Sequence, residues 1–478
     1  MGNNYFVKIS DVAAVFDGPH ATPKKIDDGP YFLSISSLEG GMLDLSKSAH
    51  LSDEQFIKWT KRVTPQEGDV LFSYETRLGE AALMPAGVKA CLGRRMGLLR
   101  PYIEKVIPEY LLYAYLSPDF QQEIKKRTIH GATVDRIALK EFPDFNIRIP
   151  PLDEQRRVVE VLNSMNGKLT VNRQINQTLE KMAQALFKSW FVDFDPVVDN
   201  ALDTGFFEQD LDLPDELLCR AEARKAVREH SDFKPLPEDI RQLFPAAFEE
   251  CPEPSLGLGG WVPKGWQVQS IKDFANVTDY VANGSFAALK ENVTLFDAPE
   301  YALYIRTTDF KNDFDKEKSK YVDKHAYDFL SKTKLSGSEV IISNVGDIGT
   351  VFRPPYWLGM PMTLGSNAIA VSTQCLNDYL YFYFSSRAGQ SAIDGIVSGS
   401  AQQKFNKTGF RSLRLLLPSN SIVLKFNEVY QGIFLKIISN KQNILYLEQL
   451  RDTLLPKLIS GELNLADCEA DALEEAQR

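Results

Sequence analysis

The chain is written twice. Gly68-Asp69-Val70-Leu71-Phe72-Ser73, with Gly79 and Pro85 behind it, recurs as Ser338-Glu339-Val340-Ile341-Ile342-Ser343, with Gly349 and Pro355. Glu109-Tyr110-Leu111 recurs as Asp378-Tyr379-Leu380, and Ile147-Arg148-Ile149-Pro150 as Leu415-Leu416-Leu417-Pro418, at offsets of 268 to 270 residues. A long apolar-periodic stretch follows each proline. The order is therefore module, helix, module, helix. Such self-similarity requires two copies of one fold rather than one large core, and 478 residues leave room for two to four domains.

The first module is predicted over residues 5–149. Strand-like runs at Tyr5–Phe16, Tyr31–Ser36, Val70–Ser73 and Gly97–Leu99 alternate with Gly/Pro turns, and Tyr110–Leu116 and Asp119–Lys126 read as helical. The mixture predicts an α+β module with a curled sheet. Pro150-Pro151 ends the last strand, because proline cannot extend a ladder, and Asp153 and Glu154 put negative charge in the first turn of a helix. That helix, 150–192, carries a seam through Leu162, Met165, Leu169, Asn172, Asn176, Leu179, Ala183, Leu186 and Trp190. Forty residues would span ~60 Å. Phe194-Asp195-Pro196 breaks that helix, and an acidic connector follows at 193–264, with a short helix near Glu216–His230 and a flexible Pro/Gly-rich link at 244–265. The second module is predicted over 265–418 and the second helix over 419–461, with an acidic, disordered tail at 462–478. Asn172 and Asn440 fall on like seam positions. A polar residue in an apolar seam fixes register, so the helices are predicted to pair antiparallel with these two near the crossing. A stripe shifted by one residue, using Ile175, would instead turn each Asn to solvent.

The net charge of −10 speaks first against nucleic acid, but its distribution does not. Residues 201–260 hold 14 acidic and 6 basic side chains, and residues 461–478 hold 6 acids and one Arg, which leaves +3 for the modules and helices. A basic face is compatible with that body. The five cysteines are far apart and form no CxxC or CxxH pair, so neither a zinc site nor a disulfide framework is expected. No stretch reaches the ~18 apolar residues of a membrane helix, and the chain reads as cytoplasmic, with no membrane partner.

The strings Pro150-Pro151-Leu152-Asp153-Glu154-Gln155-Arg156, Leu186-Phe187-Lys188-Ser189-Trp190-Phe191, and Leu454-Leu455-Pro456-Lys457-Leu458-Ile459-Ser460-Gly461-Glu462-Leu463 resemble stretches of the specificity subunits of Type I restriction–modification enzymes. The opening Asp17-Gly18-Pro19-His20-Ala21-Thr22-Pro23 and the loop Gly399-Ser400-Ala401-Gln402-Gln403 look like pieces of that family's target recognition domains. The resemblance covers nearly the whole chain. It implies two tandem target recognition domains, each followed by a long helix, with the helices paired as an antiparallel coiled coil. It also implies a non-catalytic subunit that reads a bipartite target on double-stranded DNA, the helices acting as a ruler. Two methyltransferase subunits and two restriction/translocase subunits would assemble on it. S-adenosylmethionine, ATP and Mg²⁺ would sit on those partners, the whole being an adenine-specific methyltransferase and ATP-dependent endonuclease. Half-sites about one turn, ~34 Å, apart suit helices of this length. The second helix opens Pro418-Ser419-Asn420-Ser421-Ile422 and lacks the Leu-x-Glu-Gln signature, and the loop Gly131-Ala132-Thr133-Val134-Asp135 lacks a counterpart of Gln402.

Reading sequence requires donors and acceptors at base edges, supported by cations on phosphates. Candidates in the first module are Thr22, Lys24, Ser36, Arg77, Arg94, Arg95 and Arg136; in the second they are Arg306, Thr307, Asn344, Asn367, Gln402, Lys404 and Lys407. Each competes with a bland role as a solvated charge or turn residue. Arg94-Arg95 precedes the apolar run Met96–Leu99, so one of the two could brace the sheet instead. The aromatics of Tyr379–Phe384 read as helix core rather than a stacking platform.

Catalysis on this chain is not expected. Arg353-Pro354-Pro355-Tyr356 superficially resembles the (Asp/Asn)-Pro-Pro-Tyr element of DNA methyltransferases, but arginine cannot accept a hydrogen bond from a target amino group. No glycine-rich cofactor loop or GxxxxGK(S/T) P-loop is present. The competing reading is a recognition or scaffold subunit of another DNA modification or defence assembly.

Overall fold

The protein is described by a computed structural model over residues 5–131, 134–399 and 403–463. It divides into two compact units, one formed by residues 1–172 with 443–478 and the other by residues 173–442.

In the first unit, four antiparallel strands lie in the order Ala13–Asp17, Met96–Pro101, Val70–Ser73, Ala81–Leu83. Val70–Ser73 is buried throughout, as expected of a continuous apolar run in a central strand. A second sheet joins Ile26–Phe32 to Ala49–His50 and, in parallel, to Ala90–Cys91. Phe6–Lys8 pairs with Asn146–Arg148 and draws the module's two ends together. Helices Pro108–Leu116 and Pro118–Lys126 each begin on a proline, which a helix tolerates in its first turn. They cover an aromatic core in which Phe72 stacks on Phe142 at 4.7 Å and Phe142 meets Phe145 edge-on at 5.0 Å.

The helix Leu152–Phe191 starts where Gln155 anchors it. Gln155 is fully buried; its amide donates to the carbonyls of Pro150 (2.7 Å) and Lys105 (3.0 Å) and accepts from the Ile107 N–H (2.8 Å). This gives the Leu-x-Glu-Gln string its physical meaning. Val158 and Leu162 pack with Leu458 and Ile459 of the helix Asn420–Ser460. Arg148 donates to Glu154 (2.9 Å) and to the Ile459 carbonyl (2.6 Å), which fastens the last turn of the second helix.

The second unit repeats the first module's sheet as Asn276–Asp279, Ala368–Ser372, Val340–Ser343, Val351–Phe352, closed by Gln267–Ser270 against Arg414–Leu417. Its second sheet, in the order Lys320–Val322, Ala302–Ile305, Met362–Leu364, Lys334–Leu335, contains the matching parallel pair. Within this unit the two long helices run antiparallel: Asn176 meets Asn440 near one end and Phe187 meets Phe426 toward the other.

The register residue differs from the expectation. Asn440 Nδ2 donates to Asn176 Oδ1 (2.9 Å), and Asn176 Nδ2 donates to the Ile437 carbonyl (3.4 Å). Asn176, not Asn172, shares a seven-residue spacing with the buried Leu162, Leu169, Ala183 and Trp190. Asn172 sits half-buried at the edge of the stripe.

The connector also departs from the sequence reading. Residues 193–264 are a folded part of the second unit, and the stretch 244–265, expected as a flexible link, contributes to its core. Helices Asp195–Asp203 and Asp215–Glu229 oppose each other, and Asp195, Asp199 and Asp203 pair with Arg220, Arg224 and Arg228 at matching four-residue steps. The strand Phe248–Glu250 pairs with Trp261–Pro263. Phe194, Val197, Val198, Phe206, Phe244 and Phe248 are buried in the unit's core. The acidic tail lies outside the described residues from 464 onward. Among the described residues, no helix is long and apolar enough to cross a membrane.

Candidate nucleic-acid interface

In each module three loops are laced together, mainly by main-chain atoms. In the first, the Tyr74 N–H donates to the Arg95 carbonyl (3.2 Å) and the Ile137 N–H to the Tyr74 carbonyl (2.9 Å), while Ser73 Oγ donates to the Glu75 carbonyl (2.9 Å). In the second, the Asn344 N–H donates to the Asn367 carbonyl (3.0 Å), the Phe405 N–H to the Asn344 carbonyl (3.2 Å), and Ser343 Oγ to the Val345 carbonyl (3.1 Å). Gln121 and Gln390 brace the two sets from behind, donating to Gly79 and Tyr115 and to Gly349 and Phe384. Arg95 and Asn367 share a left-handed φ of 69°. The first loop set thus presents residues 75–77, 94–95 and 135–136; the second presents 345–347, 366–367 and 404.

The turns after the parallel strand pairs are packed too tightly for any side chain but hydrogen. A Cβ on Gly93 would stand 1.9 Å from the Leu33 carbonyl oxygen, and one on Gly365 would stand 2.5 Å from that of Ile305. Beside the first turn, burial pushes the Cys91 thiol up to about 12, which leaves it unreactive at neutral pH. Burial, followed by the charge and hydrogen bond of Asp17, raises the Tyr74 phenol and keeps it protonated.

The candidate residues divide into braced and free. Arg77 reaches the carbonyls of Ile35 and Ser36 (3.4 Å each) and Glu80. Arg95 pairs with Glu75 (2.8 Å) and donates to Thr76 Oγ1 (3.1 Å). Arg306 clasps the fully buried Asp309 and donates to the Lys318 carbonyl (3.0 Å). Lys407 pairs with Asp279 (3.1 Å). Thr307 is buried, and Asn344 is half-buried with its amide on the Phe405 carbonyl (3.4 Å). For Arg77, Arg95, Arg306, Lys407 and Asn344 the expectation of an available side chain is corrected, because their donors are spent on internal partners; for Thr307 it is corrected by burial, its Oγ1 being enclosed without a hydrogen-bond partner among the described residues. Thr22, Lys24, Arg94, Arg136, Asn367 and Lys404 are exposed, with no side-chain hydrogen bond or ion pair among the described residues. Ser36 is exposed and shares a hydrogen bond with Ser34 (2.8 Å). Gln402 lies outside the described residues.

Sequence reasoning missed a cationic depression on the first module. Ser52 caps the helix Asp53–Trp59, and its end brings Lys58, Lys61 and Arg62 beside His20 around a hollow of about 350 Å³. Arg62 lies 3.8 Å and His20 3.0 Å from Asp17, while Lys61 is exposed with no side-chain hydrogen bond or ion pair among the described residues. The signal was the Lys58-x-x-Lys61-Arg62 spacing. A neighbouring hollow of about 340 Å³ is lined by Thr22, Lys25, Ser34, Ser46, Ser48 and Arg94. The hydroxyls and lysine ammonium groups of these two hollows are of the kind that holds phosphate oxygens. In the second unit, Arg353 pairs with Asp378 (2.6 Å) and stacks against Tyr381, Tyr430 and Phe434. The Arg-Pro-Pro-Tyr string therefore clasps the module to its helix.

A family model described as the Type I restriction modification DNA specificity domain matches residues 2–181 and again residues 263–454. The specificity subunit of the Type I restriction enzyme HindI from Haemophilus influenzae is 24% identical, over 83% of this chain and 87% of its own length. That of the Type I restriction enzyme MjaIX from Methanocaldococcus jannaschii is 22% identical, over 94% and 88% respectively. The crystal structure of the S subunit of a Type I restriction–modification system from M. genitalium aligns over 96% of this chain and 97% of its own, at 12% identity and a TM-score of 0.49.

Proposed function

The chain belongs to the Type I restriction modification DNA specificity domain family, and we propose that it reads a DNA target in two halves, one module to each half. The observation that carries this reading is the loop frame that occurs twice with different side chains at its tips: Arg94 and Arg136 in one module, Ser366 and Lys404 in the other. One frame with two sets of tips can recognise two different words, so the whole target need not be palindromic. Lys24, Lys25 and Lys61, exposed and without a side-chain hydrogen bond or ion pair among the described residues, supply phosphate contacts, and the tip residues face base edges. The paired helices set the unread gap.

The chain itself does no chemistry in this proposal. Two methyltransferase subunits, adenine-specific and using S-adenosylmethionine, assemble on it. Two translocating nuclease subunits that consume ATP with Mg²⁺ complete the restricting form, which acts in the cytoplasm. Methylation sequencing of a host carrying the complex tests the reading: a bipartite methylated motif is expected, and it should vanish when this chain is deleted. Exchanging residues 5–149 for another family module should change one half-motif and leave the other. A change in both halves overturns it.

A further inference from the structure

We infer that Arg94 is a guanine reader: the half-target of the first module contains a G·C pair whose major-groove edge meets the Arg94 guanidinium. This assignment rests on the proposed recognition function and deepens it by naming a base.

Arg94 is set apart from the arginines around it. Arg77, Arg95 and Arg62 each face a carboxylate, and Arg94 is exposed with no hydrogen bond or ion pair among the described residues. Its backbone is nevertheless fixed on both sides. Gly93 packs against the Leu33 carbonyl with no room for a Cβ, and a Cβ on Gly18 would fall 2.5 Å from the Met96 carbonyl oxygen and 2.9 Å from that of Gly93. Arg95 is pinned in its left-handed turn by Glu75 and Thr76. The guanidinium is thus available to a ligand, while the backbone that carries it is held at a defined point of the turn.

Its surroundings assign the neighbouring cations to the phosphates. Arg94 rims the hydroxyl-lined hollow with Thr22, Ser34 and Lys25, and Leu92, two residues earlier, floors the cationic hollow of His20, Lys58 and Lys61. Donors suited to phosphate thus line the two hollows reached by the Leu92–Arg94 turn, and Arg94 stands exposed at the rim of one of them. The guanidinium has donors only. Guanine presents two adjacent acceptors, O6 and N7. Adenine pairs an acceptor with a donor, cytosine offers a donor, and thymine a single acceptor. Guanine alone satisfies both arms of the fork.

The second module shows that Arg94 is not part of the shared frame. Gly365 makes the same close approach, and Asn367 adopts the same left-handed turn, but the residue between them is Ser366. A brace common to the fold would be kept in both copies; a side chain that changes while the turn persists belongs to what one module reads.

The test uses the full chain assembled with its methyltransferase subunits, as wild type, R94A and R94K. The wild-type motif is taken from methylation sequencing, and competition binding then measures relative affinity for duplexes carrying each single-pair change. The expected wild-type motif has a guanine in one half. Both R94A and R94K should lower the preference for that guanine by roughly 5- to 150-fold and leave the other half unchanged, since lysine cannot reproduce a bidentate fork. A bipartite motif whose base preferences survive in R94K, or a uniform loss of affinity over all duplexes, makes Arg94 a phosphate contact; that overturns the inference and leaves the two-half reading standing. A wild-type complex with no bipartite motif overturns both.

Discussion

The Asn176–Asn440 pair offers the sharpest test of how the helices hold their register. Both side chains are almost fully withdrawn from solvent, at 6% and 1% exposure. N176L removes the acceptor of Asn440 Nδ2 and leaves a buried amide unsatisfied, at a cost of about 1–3 kcal/mol. N440L should cost less, because Asn176 Nδ2 keeps the Ile437 carbonyl. The double variant removes both amides. No orphan remains, and the gain from burying two leucines is opposed by overpacking of about 1–3 kcal/mol, so its stability should lie within about 1 kcal/mol of wild type. Equilibrium urea denaturation of the full chain reads all four states. The expected order of destabilisation is N176L, then N440L, then the double variant, with a coupling energy of about 0.5–3 kcal/mol. N172L, at the half-buried edge position, should stay within about 0.5 kcal/mol of wild type. If the two single effects simply add in the double variant, the amides are independent and the register argument fails.

Two further outcomes are expected. G93A should destabilise the first module by about 1–3 kcal/mol and degrade one half-motif, with G365A doing the same to the other half, because each new methyl group meets a main-chain carbonyl; unfolding and methylation sequencing of both variants check this, and wild-type behaviour in either contradicts the packing argument. Burial pushes the Asp203 carboxyl up, but hydrogen bonds and charge from Arg228 and Arg241 outweigh it and hold the pKa below its ordinary value. A depressed folded pKa stabilises above the unfolded value of about 3.9 and is lost as pH falls through the folded one. The 195–229 hairpin should therefore loosen below about pH 4 in acid hydrogen-exchange measurements, and unchanged protection down to pH 2 refutes it.

The duplicated α+β modules and the long helix behind each were legible because repeats and heptad spacing are properties of residue order. The connector was not. Its acids look unsatisfied in sequence, yet Asp195, Asp199 and Asp203 are matched by Arg220, Arg224 and Arg228 across a hairpin, a pairing that appears only after the chain folds back. Its Pro/Gly-rich end hides a strand pair whose Phe248 and Val262 are core residues. The candidate site was legible as a set of loops and not as a set of side chains. Arg94 and Arg95 are the same letter, and only geometry separates the exposed one from the one gripping Glu75. Lys407 finds Asp279 across 128 residues, a distance at which sequence gives no pairing signal. The turn Gly365–Asn367 needed the left-handed φ of Asn367, which an Asn in a loop hints at without locating.

The lacing of each loop set runs mainly through peptide N–H and carbonyl groups, so it is indifferent to which side chains stand at positions 94, 136, 366 and 404. Mutations there alter a vocabulary without touching the grammar that displays it. Such a chain can drift between targets one letter at a time while remaining foldable throughout, and a library randomised at those four positions should yield mostly stable proteins with altered preferences.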